Sequence, residues 1–188
     1  MVVCVTGKIG TGKSTVARMI SSILKAKIID VDRVGHEVLE MEDVVKKIKE
    51  IFGGRAVKNG RVDREYLRSV VFKDRELLKK LEEVVHPIMR DIVTKRARSE
   101  ARVVIDCALL ERMKLKDICD LILTVVAPYE VARKRKSHLD EETFKAIWES
   151  QKDVRALGDV LENSEDDMKA LEEKVKSFLR RASEHHQL

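Results

Sequence analysis

The sequence is poor in several residue types that mark other classes of protein. It has three cysteines, two prolines and one tryptophan in 188 residues, and aromatic residues make up only 4%. Cys4, Cys107 and Cys119 lie far apart and lack metal-ligand spacing, so we expect reduced, mostly packed thiols and no zinc site. Asparagine and glutamine occur twice each while charged residues reach 38%, a composition that resembles that of thermophilic proteins.

Other absences narrow the function further. No apolar run reaches about 18 residues, which excludes a transmembrane helix. The first residues enter an apolar strand directly, without the basic start of a secretory signal, so we expect a cytoplasmic location and no membrane partner. The net charge of +5 suits phosphate-rich ligands, but acidic and basic residues interleave, and we expect no nucleic-acid partner. No guanine-reading N-K-x-D motif is present, which argues against a GTPase.

The strongest motif lies in the first fifteen residues. The apolar run VVCV is followed by GKIGTGKS, which fits G-x-x-x-x-G-K-S, and then by a helical pattern. Strand, glycine-rich turn and helix are the context of a phosphate-binding loop, in which backbone N–H groups and the helix dipole hold an anion. An ordinary glycine turn is the alternative, and the full context of the motif argues against it. The predicted ATP-binding residues are Gly7, Gly10, Thr11, Gly12, Lys13, Ser14 and Thr15.

The side chains of this loop predict that it binds a nucleotide together with Mg²⁺. Lys13 would reach the β- and γ-phosphates, and the Ser14 hydroxyl would ligate the Mg²⁺ that bridges them. Asp106 ends a second apolar run, RVVID, in the manner of a strand whose acid holds Mg²⁺ directly or through water. Many core strands end in aspartate, so Asp106 alone is a weak signal. Ser14 and Asp106 are the predicted metal ligands.

A pair of acids follows the strand of Ile28 and Ile29. Ligands of open parallel sheets bind outside the carboxyl ends of the strands, so Asp30 or Asp32 would lie beside the phosphate loop. The alternative for Asp32 is an ordinary helix N-cap, because a helical pattern begins soon after it. Its position at a strand end favours function.

The alternation of strands and helices predicts an α/β fold with a five-stranded parallel sheet and helices on both faces. The candidate strands lie near residues 2–5, 27–30, 103–106, 121–126 and 159–162. We expect a core of about 1–39, 101–127 and 157–188, a helical substrate-binding insert of about 40–100 without strands, and a helical lid of about 128–156. Within the insert, Asp63 and Asp74 look like helix N-caps, and one helix is predicted to end near His86 with another over 87–99.

Together these residues resemble the dephospho-coenzyme A kinase family, whose fold is similar to that of nucleoside-monophosphate kinases and other P-loop kinases. The chain departs from the family where Lys8 replaces the usual glycine and Ala108 the usual proline. The segments that carry the resemblance are TGKIGTGKSTVA (6–17), IIDVDRVGHEVL (28–39), VDREYLRSVVFKD (62–74), HP (86–87), VVIDCALLE (103–111) and DVLEN (159–163).

The resemblance implies that ATP phosphorylates the ribose 3′-hydroxyl of dephospho-coenzyme A, with Mg²⁺ as cofactor, in the last step of coenzyme A biosynthesis. Asp32 matches the family's acid facing the acceptor and would accept the hydroxyl proton. A lid arginine would act with it and with Lys13, and either Arg133 or Arg135 can fill that place. Arg64 and His86 lie in family segments and are candidate substrate contacts, although His86 alone would be interpreted as structural. The rival functions are a kinase of another small acceptor, such as a nucleoside monophosphate, and a nucleotide-dependent switch.

Overall fold

The computed structural model describes residues 1–186 as strands and helices in alternation. The strands are β1 Val2–Thr6, β2 Lys27–Asp30, β3 Val57–Lys58, β4 Arg61–Val62, β5 Val103–Asp106, β6 Leu121–Val126 and β7 Asp159–Glu162. The helices are α1 Lys13–Leu24, α2 Val31–Leu39, α3 Glu42–Phe52, α4 Arg64–Val71, α5 Arg75–Arg98, α6 Tyr129–Arg135, α7 Glu141–Ser150 and α8 Met168–His186. Short 3₁₀ turns lie at Gly54–Ala56 and Lys116–Ile118.

The main sheet has five strands in the order β2-β5-β1-β6-β7, and every neighbouring pair is parallel. Two apolar cores cover its faces, one formed with α2 and α5 and the other with α1 and α8. The central strand β1 divides between them, because Cys4 packs into the first core while Val3 and Val5 pack into the second. Burial on both faces explains its unbroken apolar run. The predicted fold class is confirmed.

The segment between β2 and β5 contains a small hairpin that the sequence interpretation missed. Strands β3 and β4 pair antiparallel, with Val57 opposite Val62, so the prediction that residues 40–100 lack strands was wrong. The turn itself was predicted: Asn59 and Gly60 both adopt positive φ, 51° and 76°, as a two-residue type I′ hairpin requires. Strands of two residues are too short to show an alternating pattern.

Helix α5 is one continuous helix of 24 residues, and the predicted break at His86 and Pro87 was wrong. Pro87 removes one backbone donor and would ordinarily end or kink a helix. Val85, Met89, Val93 and Ala97 recur every four residues on the buried face of α5, and this packing carries the helix through the proline. The predicted N-caps were correct, since Asp63 accepts from Tyr66 N at 3.0 Å and Asp74 from Leu77 N at 3.2 Å.

Cys4 and Cys119 form a disulfide, which corrects the expectation of three reduced thiols. Cys119 lies two residues before β6, whose pairing with β1 brings the Cα of Cys119 to 5.8 Å from that of Cys4. This distance is normal for a disulfide. Cys107 is the free cysteine, and complete burial raises the pKa of its thiol to about 12. Among the described residues, no helix has the length and apolar character needed to cross a membrane.

We expect the disulfide to stabilise the fold, because it closes a loop across 115 residues of sequence. The chain-entropy relation gives about 5 kcal/mol for a loop of this size at 25 °C. Urea unfolding of protein purified without reductant should show a loss of this order when dithiothreitol is added. The Cys119→Ser variant should start from the lower stability and not respond to the reductant. Three reactive thiols in the denatured, unreduced chain, instead of the one from Cys107, would contradict the pairing.

Candidate active site

The carboxyl ends of β1, β2 and β5 meet at one edge of the sheet. The parallel register pairs Asp106 with Val5 on one side and with Asp30 on the other. The loop that follows β1 therefore lies beside both acids, at the position where ligands of open parallel sheets bind. All predicted phosphate and metal contacts come from this edge.

The loop from Gly7 to Lys13 has the backbone that an anion-binding turn needs. Gly10 and Gly12 adopt φ of 77° and 93°, which side-chain-bearing residues rarely do. A Cβ at Gly10 would collide with the backbone of Ala132 in α6, and one at Gly12 with the Asn163 amide. Gly12 is also the N-cap of α1 and has no side chain to bond the first N–H groups, which leaves them for an anion.

Ser14 and Asp106, the predicted metal ligands, lie near each other at this edge of the sheet. The Ser14 hydroxyl and the Lys13 ammonium both lie close enough to Asp106 to lower its pKa. Burial nevertheless raises the pKa of Asp106, and the negative charges of Asp30 and Asp32 add to this rise. The side chain of Asp106 is only 7% exposed. Four of the predicted site residues thus act on one carboxylate.

The two acids of β2 and α2 have different roles. Asp30 is the N-cap of α2 and accepts a hydrogen bond from Arg33 N at 3.2 Å. Asp32 lies in the first turn of α2, where its side chain is exposed and near enough to Asp106 to affect it electrostatically. The N-cap interpretation therefore applies to Asp30, and Asp32 is left available to a substrate.

The first half of the phosphate loop contacts α7 through two side chains. Lys8 Nζ lies 4.8 Å from the centre of the Trp148 ring, a cation–π contact. Gln151, at the end of α7, accepts a hydrogen bond from Ile9 N at 2.8 Å. No local pattern marks Gln151, because only the fold brings residues 142 positions apart together. These contacts place α7 against the nucleotide loop.

Arg135 and Arg133 differ clearly in their surroundings. The Arg135 guanidinium donates to Asn163 O at 2.9 Å and to Glu165 O at 3.3 Å, and it pairs with Asp166 at 3.2 Å. Asn163 in turn donates to Thr11 O at 2.9 Å. Arg135 is therefore committed to tying the segment after β7 to the phosphate loop.

Arg133 is less constrained. Its Nη1 donates to Lys136 O at 3.1 Å, and its guanidinium carbon lies 5.5 Å from the centre of the Phe144 ring. It is carried by α6, whose Ala132 backbone touches Gly10. Arg133 therefore directly follows Ala132, the residue of α6 that contacts the phosphate loop.

The two candidate substrate residues of the helical segment lie on α4 and α5. Arg64 begins α4 and is exposed. His86 is half-buried in α5, where burial and the charge of Arg112 lower its pKa to about 4, so the imidazole is neutral at pH 7. Arg112, which sequence reasoning missed, bonds Glu82 Oε1 of α5 at 2.8 Å and also Asp153 and Ser150 O beside α7.

Oxygen donors in this site suit magnesium better than a transition metal. A hydroxyl beside a carboxylate, completed by phosphate oxygens, is typical of magnesium in nucleotide sites. Residues 1–186 contain no group of three His, Cys, Asp or Glu side chains that could hold a metal by themselves. Any divalent ion at Ser14 and Asp106 therefore depends on the nucleotide for its remaining ligands.

Comparisons with known proteins show the family to which the chain is related. The sequence model of the dephospho-CoA kinase family matches residues 1–178. The dephospho-CoA kinase of Borreliella burgdorferi is 33% identical over 163 residues, covering 82% of this chain and 78% of that protein. That of Aquifex aeolicus is 35% identical over 153 residues, covering 78% of each.

Solved structures show the same architecture. A Thermus thermophilus protein matches with a TM-score of 0.76 at 30% identity, covering 96% of this chain and 97% of that one. The dephospho-CoA kinase of Campylobacter jejuni matches in fold with a TM-score of 0.66 at 22% identity, covering 98% of each chain. The match over nearly the whole length identifies this chain as a member of the dephospho-CoA kinase family.

Proposed function

We propose that this ATP-dependent kinase phosphorylates the ribose 3′-hydroxyl of dephospho-coenzyme A with Asp32 as the base and Lys13 on the transferred phosphate. Family membership supports the reaction, and coenzyme A and ADP are its products. The observation that supports the residue roles is the meeting of Lys13, Ser14, Asp106 and Asp32 at one sheet edge.

ATP would bind along the loop with its phosphates against the open N–H groups of α1. Backbone contacts to the phosphates would come from Gly7, Gly10, Thr11, Gly12 and Thr15. The Lys13 ammonium would pair with the negative charge of the β- and γ-phosphates. Ser14 and Asp106 would hold Mg²⁺, which neutralises phosphate charge during transfer. Asp106 must be ionised for this, and Lys13 and the Ser14 hydroxyl favour that form.

Asp32 would orient the acceptor. An exposed carboxylate beside the loop can hydrogen-bond the 3′-hydroxyl, hold it in line with the γ-phosphate and take its proton as the new bond forms. Arg133 is the better candidate for the lid arginine, because the guanidinium of Arg135 is already held by Asn163, Glu165 and Asp166. Arg64 and His86 stay as proposed substrate contacts of the insert.

The division into a core (1–39, 101–127, 157–188), an insert (40–100) and a lid (128–156) remains our proposal. We also propose a cytoplasmic location, since ATP is available there. Disulfides are unusual in that compartment except in hyperthermophiles. The scarcity of asparagine and glutamine, with 38% charged residues, is compatible with such a source.

The first test is an acceptor screen. Purified protein with Mg·ATP should release ADP when dephospho-coenzyme A is present, and mass spectrometry should identify coenzyme A as the product. AMP, CMP and buffer without acceptor serve as comparisons. ADP release with AMP or CMP, but not with dephospho-coenzyme A, would overturn the assignment of the acceptor.

The Asp32→Asn variant tests the base. We expect kcat to fall by about 100-fold or more, the usual contribution of general-base catalysis, while the Kd for ATP stays the same. Glu40→Gln, which changes an exposed acid at the other end of α2, should have normal kinetics. Unchanged kcat in Asp32→Asn would remove Asp32 from the mechanism.

Measurements of both stability and turnover distinguish the roles of Arg133 and Arg135. Arg133→Ala should lower kcat by about 100-fold or more, because an arginine on the transferred phosphate stabilises the transition state. Its Tm should fall less than that of Arg135→Ala, because Arg133 makes only one hydrogen bond and a contact with the Phe144 ring. Arg135→Ala should lower Tm by about 4 °C or more, because it releases Asn163 and the loop after β7. The reverse pattern would exchange the two roles.

A further inference from the structure

A cavity of about 300 Å³ lies outside the phosphate site, between the helical insert and α7. Its volume is at the lower end of the range of small-molecule clefts, about 300–1,000 Å³. One wall comes from the end of α4 and the first half of α5, and the other from α7 and the residues after it. Arg112 crosses from Glu82 to Asp153 on one side, and Lys73 pairs with Glu142 at 3.5 Å between the same two walls.

We infer that this cavity binds the pantetheine arm of the acceptor, an inference that rests on the proposed phosphorylation of dephospho-coenzyme A. The arm is a flexible, uncharged chain with two amides, a hydroxyl, two geminal methyl groups and a terminal thiol. It is the only part of the acceptor with no counterpart in simpler nucleotides.

The lining of the cavity fits a neutral, amide-bearing chain. Phe72, Leu78 and Ala146 supply apolar surface for methyl and methylene groups. Basic and acidic side chains number four and three, so their charges nearly cancel, in contrast to a site for a polyphosphate. Side chains such as Lys79 can donate to amide carbonyls, and Ser150 can accept from an amide N–H.

The distance between the cavity and the reacting end also fits. Met89 of α5 packs against Gly35, which lies three residues after Asp32 on α2. Leu78 lies eleven residues earlier on the same helix, a rise of about 16 Å. Twelve bonds join the bridging oxygen of the arm to its sulfur, as many as in four amino-acid residues, so the extended arm spans about 14 Å. The ribose and the diphosphate add further length between the 3′-hydroxyl and the arm, so the whole acceptor can cover a rise of about 16 Å.

The same helix connects this cavity to the nucleotide loop. Ala146, Glu149 and Ser150 of α7 line the cavity, while Trp148 contacts Lys8 and Gln151 bonds Ile9 N. An arm held here therefore lies on a helix that also touches the phosphate loop. This arrangement would let one element position both substrates.

Calorimetric titrations with dephospho-coenzyme A and with AMP test the inference without relying on turnover. Ala146→Leu fills the cavity and should weaken binding of dephospho-coenzyme A by about tenfold or more, a loss of about 1.4 kcal/mol. Binding of AMP, which has the nucleotide but no arm, should be unchanged. Lys145→Leu is the matched control: it adds a leucine at the adjacent exposed position of α7, outside the cavity, and should bind both ligands normally.

Two other outcomes of these titrations would contradict binding of the arm in the cavity. Unchanged binding of dephospho-coenzyme A by Ala146→Leu would overturn the inference, and so would equal weakening of both ligands, which indicates damage to the whole cleft. Circular dichroism checks that Ala146→Leu is folded. If it is not, the Leu78→Gln variant replaces it, because Leu78 is half-buried on the opposite wall of the cavity. The same comparison of dephospho-coenzyme A and AMP binding then tests the inference. Failure of the wild type to convert dephospho-coenzyme A into coenzyme A would instead overturn the proposed function.

Discussion

The central place of β1 in the sheet is the constraint on which the rest of the structure depends. Its neighbours β5 and β6 hydrogen-bond it on both edges, and the two apolar cores cover both its faces. The loop after β1 therefore starts from a strand in which Val3, Cys4 and Val5 are completely buried. Asp106 reaches this loop because β5 pairs with β1, and Asn163 reaches it because β7 pairs with β6, the other neighbour of β1. Close packing then demands glycine at Gly10 and Gly12, because neighbours occupy the space a side chain would need.

Local sequence patterns predicted the features that local physics determines. The phosphate loop, the acids at the strand ends and the Asp63 and Asp74 caps all depend on a few consecutive residues. The disulfide and the Gln151 contact depend on register between segments more than 100 residues apart, and spacing along the chain carries no such information. In helix α5 a local pattern led to a wrong prediction. Pro87 predicts a break in the helix, but the packing of its buried face keeps the helix continuous.

Charge balance at the sheet edge explains why the site suits a nucleotide that arrives with a cation. Asp30, Asp32 and Asp106 face Lys13, and the pKa of Asp106 is already raised by burial and by the other two acids. The phosphates of a free nucleotide would add further negative charge beside these carboxylates. A divalent ion brought with the phosphates relieves this repulsion and favours the ionised form of Asp106. On the proposed mechanism, the same acids would disfavour bare ATP and favour its magnesium complex. Asp32, which is exposed, would keep its carboxylate for the acceptor hydroxyl.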